Sequence, residues 1–127
     1  MMMKQKKYSV LNYTPHEIVI FNDDDRIIKR IKPTGKAIRV NQENKRIGYI
    51  DIDGVAVPES SVTFVDNGLP EEKEGVYIIV SKLTADAFPL RDDLLLVNEM
   101  VRDENGAIIG CRSLAQANKK YKFKNYN

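Results

Sequence analysis

Leu94-Leu95-Leu96-Val97 and Val101-Arg102-Asp103-Glu104-Asn105-Gly106-Ala107-Ile108-Ile109-Gly110-Cys111-Arg112 decide the fold class. Two apolar runs flank an Asn-Gly pair, which supplies the positive backbone angles of a tight turn, so the segment is expected to form a β-hairpin. Arg91, Arg102 and Arg112 lie in or beside it and are expected to come close together on a rigid element.

Working outward, the preceding chain shows short β-branched and aromatic runs broken by turn residues. Strands are expected over 8–12, 17–22, 26–31, 37–40, 47–52, 55–57, 61–65 and 76–80, and Asp51-Ile52-Asp53-Gly54 is a further hairpin signal. Pro58 is expected to stop the sixth, because proline cannot donate to a central ladder. Residues 76–80 form the most hydrophobic run and suit a central position. Ser81 can cap a short helix over 82–88, with Leu83, Ala87 and Phe88 on one face, and Pro89 ends it. The expected fold is a β-rich α+β domain, an antiparallel sheet or open barrel of short strands with one small helical insertion before the C-terminal hairpin.

The 127 residues form one expected domain, large enough to bury about two thirds of the unfolded surface. Hydrophobic residues make up 43% and charged residues 30%, as in ordinary globular proteins. No apolar run approaches the roughly 20 residues of a membrane helix. No secretory signal is expected, and one cysteine cannot form an internal disulfide, so the expected location is cytoplasmic. The net charge of +2 conceals a partition. Residues 1–7 hold three lysines and residues 116–127 hold four, with no acid in either segment, whereas 8–115 holds 13 basic and all 18 acidic residues. The two basic ends are expected to fray. Tyr121, Phe123 and Tyr126 alternate with lysines there, a pattern suited to an added edge strand. Positive charge outside the folded body argues against a long nucleic acid as partner.

Catalytic chemistry has little support. His16 and Cys111 are single residues of their kinds, too few for a zinc site. Thr14-Pro15-His16 suits a helix-cap turn, and Cys111 suits a small buried position with Arg112 on the opposite face. The acidic pairs sit at turns, where aspartate accepts from backbone donors. Asp92-Asp93 alone could serve a hydrolase. The seven glycines spell no phosphate loop or dinucleotide fingerprint. No cofactor, metal or catalytic residue is therefore expected. Tyr77, Phe88, Arg91, Asn98, Arg102 and Arg112 offer guanidinium forks for phosphate, aromatic faces for a base and an amide for a base edge, a set able to cage a small nucleotide. The competing reading is surface ion pairing, Arg91 with Asp93 and Arg102 with Glu104.

Leu11-Asn12-Tyr13-Thr14-Pro15-His16, Gly68-Leu69-Pro70, Gly75-Val76-Tyr77-Ile78-Ile79-Val80-Ser81 and the block Val101 to Ala115 resemble, in this order, a family of small phage and prophage proteins. The chain departs from that pattern at Val97-Asn98, where a proline is expected. The element order also resembles the Thoeris anti-defence proteins, sponges for cyclic ADP-ribose isomers, some of which also take cyclic oligonucleotides. That resemblance implies a non-enzymatic homo-oligomer in the host cell cytoplasm, with the ligand between subunits. It further implies Phe88 stacked on the base, Asn98 bonded to it, and Arg102 and Arg112 on the pyrophosphate. The alternative is a structural or protein-interaction module of a phage.

Overall fold

The computed structural model describes residues 7–118. Eight strands and one helix follow one another: β1 (Ser9–Asn12), β2 (Ile18–Phe21), β3 (Ile27–Ile31), β4 (Val40–Ile52), β5 (Val55–Asp66), β6 (Val76–Ile79), α1 (Lys82–Ala87), β7 (Leu94–Arg102) and β8 (Ile108–Gln116). Six of the strands form a sheet in the order β1-β6-β7-β8-β2-β3, while β4 and β5 pair only with each other. The β-rich α+β class is as expected. Antiparallel ladders carry most of the pairing, and three short parallel contacts (β1 with β6, β6 with β7, β2 with β8) splice them together.

The sheet curls until its ends meet. Asn12 at the end of β1 bridges Pro33 just beyond β3, and the Thr34 amide donates to the Asn12 carbonyl at 2.9 Å. The Asn12 side chain, 1% exposed, completes the seam. Its Nδ2 donates to the His16 carbonyl at 2.7 Å and the Ile31 carbonyl at 3.0 Å, and its Oδ1 accepts from the Thr14 amide and hydroxyl. A buried amide satisfied on every side both stabilises and specifies its surroundings. The expected helix cap at Thr14-Pro15-His16 is therefore corrected: the segment is a bend folded around Asn12, and no helix follows it.

Residues 76–80 do take the expected central place. Ile78, Val80, Leu94, Ala85 and Ala117 form the main core, with Tyr13, Ile38, Leu69, Phe88 and Leu96 packed against it. Ile79 and Leu95 pair on the opposite face and are buried too, so both faces of β6 and the start of β7 are covered, which explains their unbroken apolar runs. Ser81 caps α1, its hydroxyl accepting from the Thr84 amide. The helix buries Thr84 and Ala85 rather than Leu83, which stays exposed. Gln116 lies in β8 and Ala117 is buried, so the frayed C-terminal segment expected from 116 onward does not begin there. The edge strand expected at 121–126 and nearly all of the N-terminal basic segment lie outside the described residues.

Of the two hairpin signals, one forms a different turn and the other forms as expected. In the β7–β8 hairpin only Gly106 has a positive φ (83°), and Asp103 closes the loop by accepting from the Asn105 and Ala107 amides. The turn is thus a longer loop ending in a left-handed glycine, not a two-residue Asn-Gly turn. The hairpin signalled at Asp51-Ile52-Asp53-Gly54 does form, between β4 and β5, as a two-residue turn in which Asp53 (φ 51°) and Gly54 (φ 85°) both adopt positive angles. The separate strands expected over 37–40 and 47–52 are one strand from Val40, and β5 runs straight through Pro58. Because β5 has a neighbour on one side only, proline removes no donor the ladder needs.

Candidate functional site

The six candidate residues do not converge. Arg91 stands before β7 and Arg102 ends it, so a nine-residue strand holds them roughly 30 Å apart at about 3.3 Å per residue. Arg91 forks onto Asp93 through Nε (2.8 Å) and Nη2 (2.7 Å) and also reaches Glu72 at 3.1 Å. The Asp93 hydrogen bonds hold its guanidinium above the usual arginine range, against an opposing effect of burial. Asp93 is buried while Asp92 is exposed, so the two carboxylates diverge. Tyr77 meets Tyr8 edge to face at 4.8 Å and accepts from Gln116, and Phe88 packs on the core. Asn98 donates to the Ser113 hydroxyl across the hairpin.

Arg102 and Arg112 do share a depression, of about 390 Å³, with Phe21, Asp25, Met100, Val101 and Ile109. Antiparallel register brings this about: Val101 pairs with Gly110, and Gly110 leaves room for Phe21 from β2. A Cβ on Gly110 would stand 2.5 Å from the Phe21 ring and 2.6 Å from the Val19 carbonyl oxygen. Arg112 donates to the Asn22 carbonyl and to Asp25, each at 2.5 Å. The Asp25 hydrogen bond raises its pKa, with Asp25, Asp23 and Glu99 adding charge attraction and desolvation opposing. Arg102 donates to the Gly106 carbonyl at 2.8 Å rather than pairing with Glu104. Glu99 holds a left-handed angle (φ 54°) midway along β7, an uncommon state for a side chain inside a strand. An incoming phosphate here meets one arginine already matched by a carboxylate.

Cys111, 1% exposed, is buried as expected, and burial raises its thiol pKa. His16 is exposed and lines a second, apolar groove on the barrel with Ile18, Val97, Met100, Ile108 and Ile109. The groove continues past Leu96 to Val80 and the start of α1.

The largest feature that residue types did not reveal is the β4–β5 arm. At about 3.3 Å per residue its 13-residue strand is roughly 40 Å long. Its base is closed by Asn67, whose Oδ1 accepts from the Arg39 amide (2.9 Å) and whose own amide donates to the Arg39 carbonyl (3.2 Å). Among the described strands and helix, α1 is the element outside the arm that approaches β4 most closely. Ile50 pairs with Val57 and Ile52 with Val55, which places four apolar side chains on one face of the tip. Ile50, Ile52 and Val55 are exposed, as are Tyr49 (71%) and Ile47. The signal was present in the sequence, as Asp53-Gly54 between apolar residues at alternate positions on both sides.

No family model, curated protein or solved structure matches this chain. Among the described residues, no helix is long and apolar enough to cross a membrane, and no three His, Cys, Asp or Glu residues gather as metal ligands.

Proposed function

We propose that this protein is a non-catalytic interaction module that engages a protein surface through the β4–β5 arm. The exposed apolar tip of a ribbon whose two described strands pair only with each other carries this reading. A two-stranded hairpin is marginal in water by itself, and a contiguous exposed apolar patch marks a contact site. Covering it gains about 25 cal/mol per Å² of apolar surface. The side chains with most chemical potential are otherwise engaged: Asp93 with Arg91, and Cys111 in the core. A photo-crosslinking residue at Val55, in cells making the protein, is expected to yield a defined protein adduct that the same residue at Glu104 does not. Equal yields at both positions, or none at Val55, would end the reading.

A second reading is supported by the depression that places Phe21 beside Arg102 and Arg112. In it the protein sequesters a cyclic nucleotide signal, such as a cyclic ADP-ribose isomer, without cleaving it. The base would stack on Phe21 and the pyrophosphate would take both arginines. Titration calorimetry with the 1″–2′ and 1″–3′ isomers is expected to give saturable heat that Arg112→Ala abolishes. No heat at 100-fold excess ligand would remove it.

A further inference from the structure

We infer that one face of the β4–β5 ribbon binds single-stranded nucleic acid, with the backbone held by Arg46 and bases stacked on Tyr49 and Phe64. This face lies opposite the apolar tip strip, so the surface stands or falls apart from the protein contact proposed above.

The register sorts the ribbon into two unlike faces. Paired residues of an antiparallel ladder share a face, and successive residues alternate between faces. Along β5, Pro58, Ser60 and Phe64 fall on one face, and pairing sets Tyr49 opposite Pro58, Arg46 opposite Ser60 and Gln42 opposite Phe64. The strip of Ile50, Ile52, Val55 and Val57 falls on the other face, together with Glu43 and Glu59. Between Tyr49 and Phe64 the first face therefore carries a cation, the side-chain amides of Gln42 and Asn44 and two aromatic rings, with no carboxylate. Tyr49 is 71% and Phe64 39% exposed, and among the described residues neither ring meets another.

The charge around the ribbon points to an anionic partner. The body of the chain is acidic, yet its positive charge is concentrated. Residues 26–46 hold eight of the 13 basic residues found in 8–115 and one of the 18 acidic residues, Glu43. All eight are exposed, and among the described residues only Arg30 of the eight enters an ion pair, with Glu17. The stretch runs from β3, the last strand in the order of the six-stranded sheet, into the first half of β4. A field of one sign at this edge draws in a polyanion even though the rest of the body carries the opposite charge.

The rings decide which polyanion. A phosphate backbone alone asks only for cations, whereas exposed aromatic rings beside a cation form a stacking platform for unpaired bases. A duplex hides its base faces, so the rings select a single strand. Pro58 and Phe64 lie six residues apart on β5, which separates the two rings by roughly 20 Å at about 3.3 Å per residue, comparable with the smallest single-strand sites of about four nucleotides. Gln42 and Asn44 lie toward the Phe64 end and can bond to base edges.

Fluorescence anisotropy of the full chain with a fluorescein-labelled oligo-dT strand of about twelve nucleotides, at about 50 mM salt, tests this. Saturable binding is expected. Tyr49→Ala is expected to weaken it at least fivefold, about the low end for one stacked base, while Tyr49→Phe keeps the wild-type affinity. Arg46→Ala is expected to lower the slope of log affinity against log salt by about 0.7, the value for one phosphate contact on a single strand. Both side chains are exposed, so the variants are expected to fold, which circular dichroism checks. No saturation at 100 µM protein, equal affinity for the matching duplex, or displacement by polyglutamate as effective as by unlabelled oligo-dT would each overturn the assignment. Variants that bind as the wild type does would also overturn it, and would assign the binding to the lysine-rich ends. The Val55 crosslink probes the opposite face, so its outcome and this one are separate.

Discussion

Arg112 and Asp25 are 87 residues apart in sequence and meet at 2.5 Å, so the last strand holds the β2–β3 turn through an ion pair, beside the hydrogen bond Arg112 donates to the Asn22 carbonyl. Any anion entering the neighbouring depression competes with that carboxylate. Asp25→Asn is therefore expected to strengthen pyrophosphate binding about tenfold, the effect of removing one charge-assisted competitor. Asn suits the left-handed angle at this position (φ 61°), so the turn survives the change. Calorimetry with pyrophosphate at low salt reads the outcome, and unchanged affinity would mean that Arg112 serves only the turn.

Gly110 lets β2 approach β8 where the two share one bridge, Ile20 with Cys111. Gly110→Ala drives a methyl into the Val19 carbonyl and the Phe21 ring. A loss of about 1–3 kcal/mol is expected from overpacking, visible as a lowered melting temperature. Gly48→Ala, where a Cβ meets nothing within 4 Å, is the matched control and should stay within about 0.5 kcal/mol.

Asn12→Ala strips partners from the His16 and Ile31 carbonyls and from Thr14. Urea denaturation should show a loss of about 3 kcal/mol, the cost of leaving buried groups unsatisfied. Asn12→Asp adds a pH signature. Its carboxylate would face two carbonyl oxygens in a buried site, which raises its folded pKa above the unfolded value. The variant is thus most stable at low pH and loses stability as pH rises above about 4, where the unfolded chain ionises first.

Burial raises the Cys111 thiol pKa. The native protein should react with iodoacetamide at pH 8 at least 100-fold more slowly than the urea-unfolded chain, because the thiolate is the nucleophile. The same shift gives stability that is whole below the ordinary thiol range and declines as pH rises through it. A native thiol that reacts at the unfolded rate would contradict the buried position.

Local chemistry made much of the fold legible. The Ser81 cap, the central run 76–80 and the β7–β8 hairpin each follow from a few neighbouring residues. The parallel pairings did not, because they join strands distant in sequence and leave no periodic trace of their partner. Pro58 misled for a related reason: a proline is a barrier only where a strand has neighbours on both sides, and the neighbour count belongs to the whole sheet. Of the three arginines, Arg91 falls outside the shared depression on distance. Period-two spacing tells which face a strand residue occupies, not that nine residues of β7 carry Arg91 and Arg102 to opposite ends. The arm was visible as a turn signal at Asp53-Gly54, yet its isolation emerges only once every other strand has found a place.

The mutual hydrogen bonds between Arg39 and Asn67 bring the two ends of the arm together. The ribbon enters and leaves the barrel at one point, so it can lengthen or shorten by residue pairs without moving any barrel strand. In evolutionary terms the arm is a detachable variable, free to change its reach and its tip chemistry while the barrel that carries it stays the same.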